Sequence, residues 1–146
     1  MRLILTAAAL SLAAACSGQT ASTETSTAVQ TVTAPSEDAR FIAIMSYADW
    51  CSSCKALDPK LKAVQTANTF EGVEFFTLDY TDRDADAFFA GAATLGVEDT
   101  LRDTFSTKIK TGKLYLIDRD TGTIVSTIDK SMSEADITEA IDSATA

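Results

Sequence analysis

Between Arg40 and Ala67 the hydrophobic period changes at a single point, and that switch constrains the fold more than any other feature of the chain. "RFIAIMSYA" (Arg40 to Ala48) is a mostly apolar run rich in β-formers, the pattern of a buried strand. Beyond it Cys54, Leu57, Leu61, Val64 and Ala67 recur at helical spacing, while Lys55, Lys60 and Lys62 fall away from that stripe. The spacing predicts an amphipathic helix that begins at or just before Cys51, with Pro59 inside it as a kink. A buried strand running straight into such a helix opens a right-handed βαβ unit.

Weaker signals follow the same logic. "GVEFFTLDY" (Gly72 to Tyr80) reads as a second strand, and Thr81 with Asp84 as a capping box for a helix from about Asp82 to Leu95. Phe88, Phe89 and Leu95 belong to its core side. Residues 96–111 fit either a short helix or a loop, and Asp99, Arg102 and Asp103 read as a solvated face. "KLYLID" and "TIVSTID" are two strands joined by "DRDTG", a hairpin signal. Ser133 caps a last helix with Ile137 and Ile141 turned inward. The expected order is β-α-β-α-β-β-α, an α/β domain with a mixed central sheet flanked by helices on both faces.

The N-terminus has a different character. "MRLILTAAALSLAAAC" carries one Arg, an apolar run from Leu3 to Ala15, and then Cys16. That run is shorter than the roughly 20 residues a membrane-spanning helix needs, and its layout is that of a secretory signal. "AAAC" resembles a bacterial lipobox, which implies cleavage ahead of Cys16 and acylation of that residue; cleavage after an Ala-x-Ala triplet such as Ala13 to Ala15 is the alternative. Ser17 stands where an aspartate would resemble an inner-membrane retention signal, which favours the outer membrane. Residues from Ser17 to about Asp38 are rich in Ser, Thr and Ala, too poor in large apolar groups to offset their ordering entropy, and read as a flexible tether. The organisation expected is a signal peptide at 1–15, an acylated Cys with its tether at 16–38, and one folded domain at 39–146. The setting is the bacterial cell envelope, on the periplasmic side, with a lipid anchor as the sole membrane attachment.

Composition removes several functions. A formal net charge of −9 argues against nucleic-acid binding, which needs clustered Lys and Arg. The chain has no histidine, so Ser–His and Cys–His nucleophile pairs and His-ligated zinc or copper are excluded. "DRDAD" (Asp82, Asp84, Asp86) begins like a calcium loop, but Ala87 and Ala93 stand where Gly and Glu are required. No cofactor and no metal site are expected. Any chemistry must rest on cysteine and carboxylates.

The two cysteines of "SYADWCSSCKALDPKL" meet that requirement. At a helix N-terminus, first-turn N–H groups favour the thiolate of Cys51, the reactive form. Cys54, one turn deeper on the same side, is placed to attack a mixed disulfide formed at Cys51. Lys55 adds a nearby positive charge and Trp50 can shield one side. A structural zinc site usually takes four Cys or His ligands, and besides this pair only Cys16 remains. A purely structural disulfide closing so short a loop would stabilise little.

Ala48, Asp49, Trp50, Cys51, Cys54, Lys55 and Pro59 together resemble the active-site segment of the thioredoxin superfamily. The wording "YADWCxxCK" is most similar to the periplasmic thioredoxin-like domains of bacterial transmembrane thiol–disulfide interchange reductases. The resemblance implies a thioredoxin-like fold, and a Cys51–Cys54 pair that cycles between dithiol and disulfide with Cys51 as nucleophile and Cys54 as resolving thiol. It also implies that the partners are protein thiols or disulfides, among them a membrane or periplasmic redox protein. Three positions depart from the family. Thr111 and Gly112 occupy the substrate loop where a cis-proline belongs, and a cis bond before a non-proline residue costs about 2.5–4 kcal/mol, so a rebuilt loop is expected. Met45 replaces a buried aspartate that helps deprotonate the second thiol, leaving Asp49 or water for that task. Ser52 and Ser53 between the cysteines lack the His of strong oxidases, which leans toward a reductant. Two functions follow: thiol–disulfide exchange through Cys51 and Cys54, or a non-catalytic thioredoxin-fold module that binds, or senses redox state or metal.

Overall fold

A computed structural model of the chain describes residues 32–146. The signal segment expected at 1–15, the lipidation candidate Cys16 and the tether up to residue 31 lie outside the described residues. The elements follow in the order β1 (Phe41–Tyr47), α1 (Ser52–Ala67), β2 (Val73–Asp79), α2 (Ala85–Thr94), α3 (Glu98–Phe105), β3 (Lys113–Asp118), β4 (Thr123–Asp129) and α4 (Glu134–Thr145). This is the expected order with α3 occupying the stretch that sequence left undecided. Leu101 and Phe105 explain that helix: one turn apart, both are buried under it.

The strands form one sheet in the order β2-β1-β3-β4. β1 pairs parallel with β2 and antiparallel with β3, and β3 pairs antiparallel with β4. Because strand side chains alternate, central β1 feeds two cores. Phe41, Ala43 and Met45 join Leu57, Leu61 and Val64 of α1 and Ile137 and Ile141 of α4. Ile42 and Ile44 join Phe88, Phe89 and Ala92 of α2 and Leu101 and Phe105 of α3. Helix α1 runs through Pro59, which sits on its exposed side, so the missing N–H costs only the bond to the Lys55 carbonyl. Ser133 and Asp136 close a capping box at α4. In the β3–β4 turn Asp118 accepts the N–H groups of Asp120 and Thr121, and Gly122 supplies the positive φ of 65°.

Two boundaries differ from expectation. Asp84, not Thr81, caps α2, its carboxylate accepting the Ala87 N–H at 3.0 Å. Arg83 is the physical reason: at φ 60° it stands in the left-handed region, at a cost of roughly 1–2 kcal/mol, and a helix cannot pass through it. Upstream, the last residues of the expected tether are fastened to the domain. Val32 packs against the α2 side of the core, Ser36 donates its N–H and hydroxyl to Glu74 of β2, and Arg119 donates to the carbonyls of Ser36 and Ala39. No helix among the described residues is long and apolar enough to cross a membrane.

The α2–α3 side is held by a chain of rings: Phe88 meets Tyr80, Phe89 and Phe105 at 5.5–5.9 Å between centroids, and Phe105 meets Tyr115. Phe88 is 1% exposed. Replacing it with alanine is expected to lower the unfolding free energy by about 3–5 kcal/mol, as measured by urea denaturation followed by circular dichroism.

Candidate active site

The site forms at the end of the sheet where β1 and β2 finish and β3 begins. Beyond β1 the Cys51 N–H bonds back to the Ala48 carbonyl at 3.1 Å, turning the chain into α1. Cys51 is the N-cap residue, in extended conformation, and its sulfur accepts the Cys54 N–H at 3.2 Å. A thiol thus stands in place of the usual Ser, Thr or Asp and shares a first-turn donor, the Cys54 N–H, with the Cys51 carbonyl at 3.1 Å. Cys54 is fully buried, among the apolar cluster that holds Met45, Leu57 and Leu61. Its thiol donates to the Ser46 carbonyl at 3.7 Å. Both cysteines are free thiols.

Burial raises the Cys51 thiol, but hydrogen bonds to its sulfur from Cys54, from Thr111 and from the backbone at Cys54 and Ser53 outweigh it, so Cys51 ends below the ordinary thiol value. Cys54 is pushed up to about 11, first by burial and then by its hydrogen bond with Cys51 and that sulfur's charge. One buried dithiol is thereby split into an outer group that ionises easily and an inner one that holds its proton.

Thr111 and Gly112 lie directly on this pair. The Gly112 N–H donates to the Ser46 carbonyl at 2.8 Å, continuing the β1–β3 ladder one step beyond Lys113. Gly112 has φ 85°, with no cis peptide bond among the described residues. A Cβ at Gly112 would come within 2.6 Å of the Ser53 Cβ and 3.2 Å of the Cys51 sulfur. Only glycine satisfies both the backbone angle and this approach. The rebuilt loop expected from sequence therefore keeps its backbone against the thiol by means of positive φ.

The other named residues divide. Trp50 is 46% exposed beside Cys51; its indole N–H donates to the Thr81 carbonyl at 2.9 Å. Thr81 also accepts the Asp49 N–H at 3.0 Å and is itself held by Asp79. Lys55 is exposed on α1 and is not among the groups that shift the Cys51 thiol. Asp49 is exposed and is not among those acting on Cys54, which leaves that thiol without a carboxylate base from this position. Cys16 lies outside the described residues. Sequence reading missed Ser46, Thr81 and Arg83; the one available signal was that β2 ends next to β1, which brings residue 81 beside residue 50.

A family model described as Thioredoxin matches residues 21–91, a span that holds Trp50, Cys51 and Cys54. Over that span, just under half of the chain, the sequence is similar to the thioredoxin family. Its mixed sheet, with the Cys-x-x-Cys pair at the β1–α1 junction, is a thioredoxin-like fold. At the coarse level the family ties the chain to thiol–disulfide redox chemistry. No curated protein matches it. Among solved structures, StoA from Bacillus subtilis is similar at 16% identity, covering 70% of this chain and 83% of its own, with a TM-score of 0.46. Trxlp from Edwardsiella tarda EIB202 is similar at 14% identity over 75% of this chain and 97% of its own, with a TM-score of 0.46. The oxidised thioredoxin of Plasmodium falciparum is similar at 14% identity over 73% and 83%, with a TM-score of 0.44.

Two outcomes follow for this thioredoxin-like site. Thr111→Val removes a hydrogen bond that favours the Cys51 thiolate, so the pH profile of Cys51 alkylation is expected to move to higher pH and the rate at neutral pH to fall. Gly112→Ala meets both strain and contact and is expected to destabilise the fold by more than about 1 kcal/mol in denaturant titration.

Proposed function

We propose that the chain is a cell-envelope protein-disulfide oxidoreductase, tethered by a lipid on Cys16, that exchanges electrons with protein partners through Cys51 and Cys54. The observation that carries this reading is the N-cap position of Cys51, where a lowered thiol stands directly above a buried, proton-holding one. The envelope setting rests on the N-terminal sequence alone.

In the reducing direction the Cys51 thiolate attacks one sulfur of a partner disulfide. A Cys51–partner disulfide forms, the partner's own S–S bond breaks, and its other sulfur leaves as a thiolate. Cys51 now carries no charge and no longer accepts a hydrogen bond as an anion. Two of the effects that hold Cys54 high disappear with that charge, leaving burial. Cys54 can then pass its proton to the departing partner thiolate and attack the Cys51 sulfur. The Cys51–Cys54 disulfide forms and the second partner sulfur leaves, so the partner gains two electrons and the pair loses two. With Met45 in place of a carboxylate, this loss of charge at Cys51 takes over the task of a buried base. The reverse sequence oxidises a partner dithiol, and the reduction potentials of pair and partner set the direction.

Insulin reduction with dithiothreitol as electron source tests the reading. Wild type is expected to turn over, Cys51→Ser to be inactive, and Cys54→Ser to accumulate a mixed disulfide visible by mass spectrometry. The rate should rise with pH and level off below the ordinary thiol range of about 8.5. A wild-type rate equal to that of Cys51→Ser would overturn the catalytic reading in favour of a binding or sensing module.

A further inference from the structure

Arg83 sits in the loop between β2 and α2 at φ 60°, a conformation that arginine rarely adopts and that asparagine tolerates. Its backbone N–H closes a turn onto the Tyr80 carbonyl at 3.1 Å, a bond that most residues could make. What arginine adds is a guanidinium placed over the Trp50 ring, 4.6 Å from its centroid. Although Asp82 and Asp84 are its sequence neighbours, Arg83 takes part in no ion pair among the described residues; the arginines that do are Arg40 and Arg102. The cation is thus directed at the indole.

Among the described residues that indole is otherwise held at its edges. Its N–H bonds to the Thr81 carbonyl, and Tyr80 meets it at 67° with centroids 6.4 Å apart. Almost half of Trp50 is exposed, immediately before the attacking sulfur in sequence. A planar guanidinium stacks on such a face in a way a lysine ammonium does not. Arg83 is also absent from the groups that shift the Cys51 thiol, so its contribution is geometric.

We propose that Arg83 is a positioning residue for the exchange reaction: stacked on Trp50, it holds the indole as a fixed wall against which the partner's disulfide-bearing segment lies while Cys51 attacks. This rests on the exchange reaction proposed above. It accounts for an arginine where the backbone is better suited to asparagine, and for a cation that joins no ion pair beside two aspartates.

Trp50 is the chain's single tryptophan, so its fluorescence reports on this ring directly. Arg83→Asn accepts the backbone angle and removes the stack; Arg83→Lys keeps the charge without the plane. Two measurements on the reduced full-length chain decide the matter. The first is acrylamide quenching of Trp50. The second compares the rate at which Cys51 reacts with oxidised glutathione, a disulfide that must be seated, and with iodoacetamide, which reports thiol reactivity alone. Arg83→Asn is expected to increase quenching and to slow the glutathione reaction about two- to fivefold, the range an exposed cation–π contact spans, with alkylation unchanged and Arg83→Lys recovering only part of the loss. In a Trp50→Ala background the Arg83→Asn effect should vanish. Unchanged quenching and exchange, an equal slowing of alkylation, or an effect that persists without Trp50 would each overturn the proposal. Both measurements are stoichiometric, so they decide the role of Arg83 even if insulin turnover fails.

Discussion

The carbonyl of Ser46, at the last fully buried position of β1, is the point on which the site depends. It accepts the Gly112 N–H at 2.8 Å and the Cys54 thiol at 3.7 Å. One acceptor therefore ties the loop that enters β3 to the inner cysteine on α1. With that tie in place, the Gly112 backbone rests against Cys51, Thr111 reaches both sulfurs, and the two thiols part in acidity. Ser46 has a second peculiarity, a buried hydroxyl without a hydrogen-bond partner among the described residues. A buried polar atom of this kind carries a penalty, and it lies at the end of β1 just ahead of the site.

The site replaces specialised groups by arrangement. A loop proline is absent, and glycine with positive φ lets the backbone lie against the sulfur. No carboxylate is among the groups acting on Cys54, whose proton is held first by burial and then by the hydrogen bond and charge of Cys51. Trp50, almost half exposed, is gripped by a backbone carbonyl, a tyrosine edge and a guanidinium. The loop and the grip on Trp50 use atoms from neighbouring strand ends, because β1, β2 and β3 all present an end at the same edge of the sheet.

How far the site was legible beforehand follows from the range of the interactions involved. Period and capping are local, so β1, α1, the β3–β4 hairpin and the Ser133 cap could be read directly. Thr81 was misread because its hydroxyl is taken by Asp79 and Asp49, a competition visible only once β2 lies beside β1. Residues 96–111 were ambiguous since Leu101 and Phe105 make too short a stripe to announce a helix without the ring cluster they bury against. The segment from Val32 was read as tether by its composition; the contacts that fasten it are with Glu74 and Arg119, far along the chain.

By itself, the order of residues determined the strand-to-helix switch at Cys51, the pairing of an outer and an inner thiol one helical turn apart, and the absence of histidine, of a loop proline and of a carboxylate at position 45. Those are matters of spacing and residue type. Tertiary structure decided which groups act on the thiols: Thr111 and Ser46 do, whereas Lys55 and Asp49, the neighbours in sequence, do not. The reason is that a hydrogen bond to sulfur reaches only a few ångströms, and the atoms within that reach are supplied by parallel and antiparallel strand pairing rather than by adjacency along the chain.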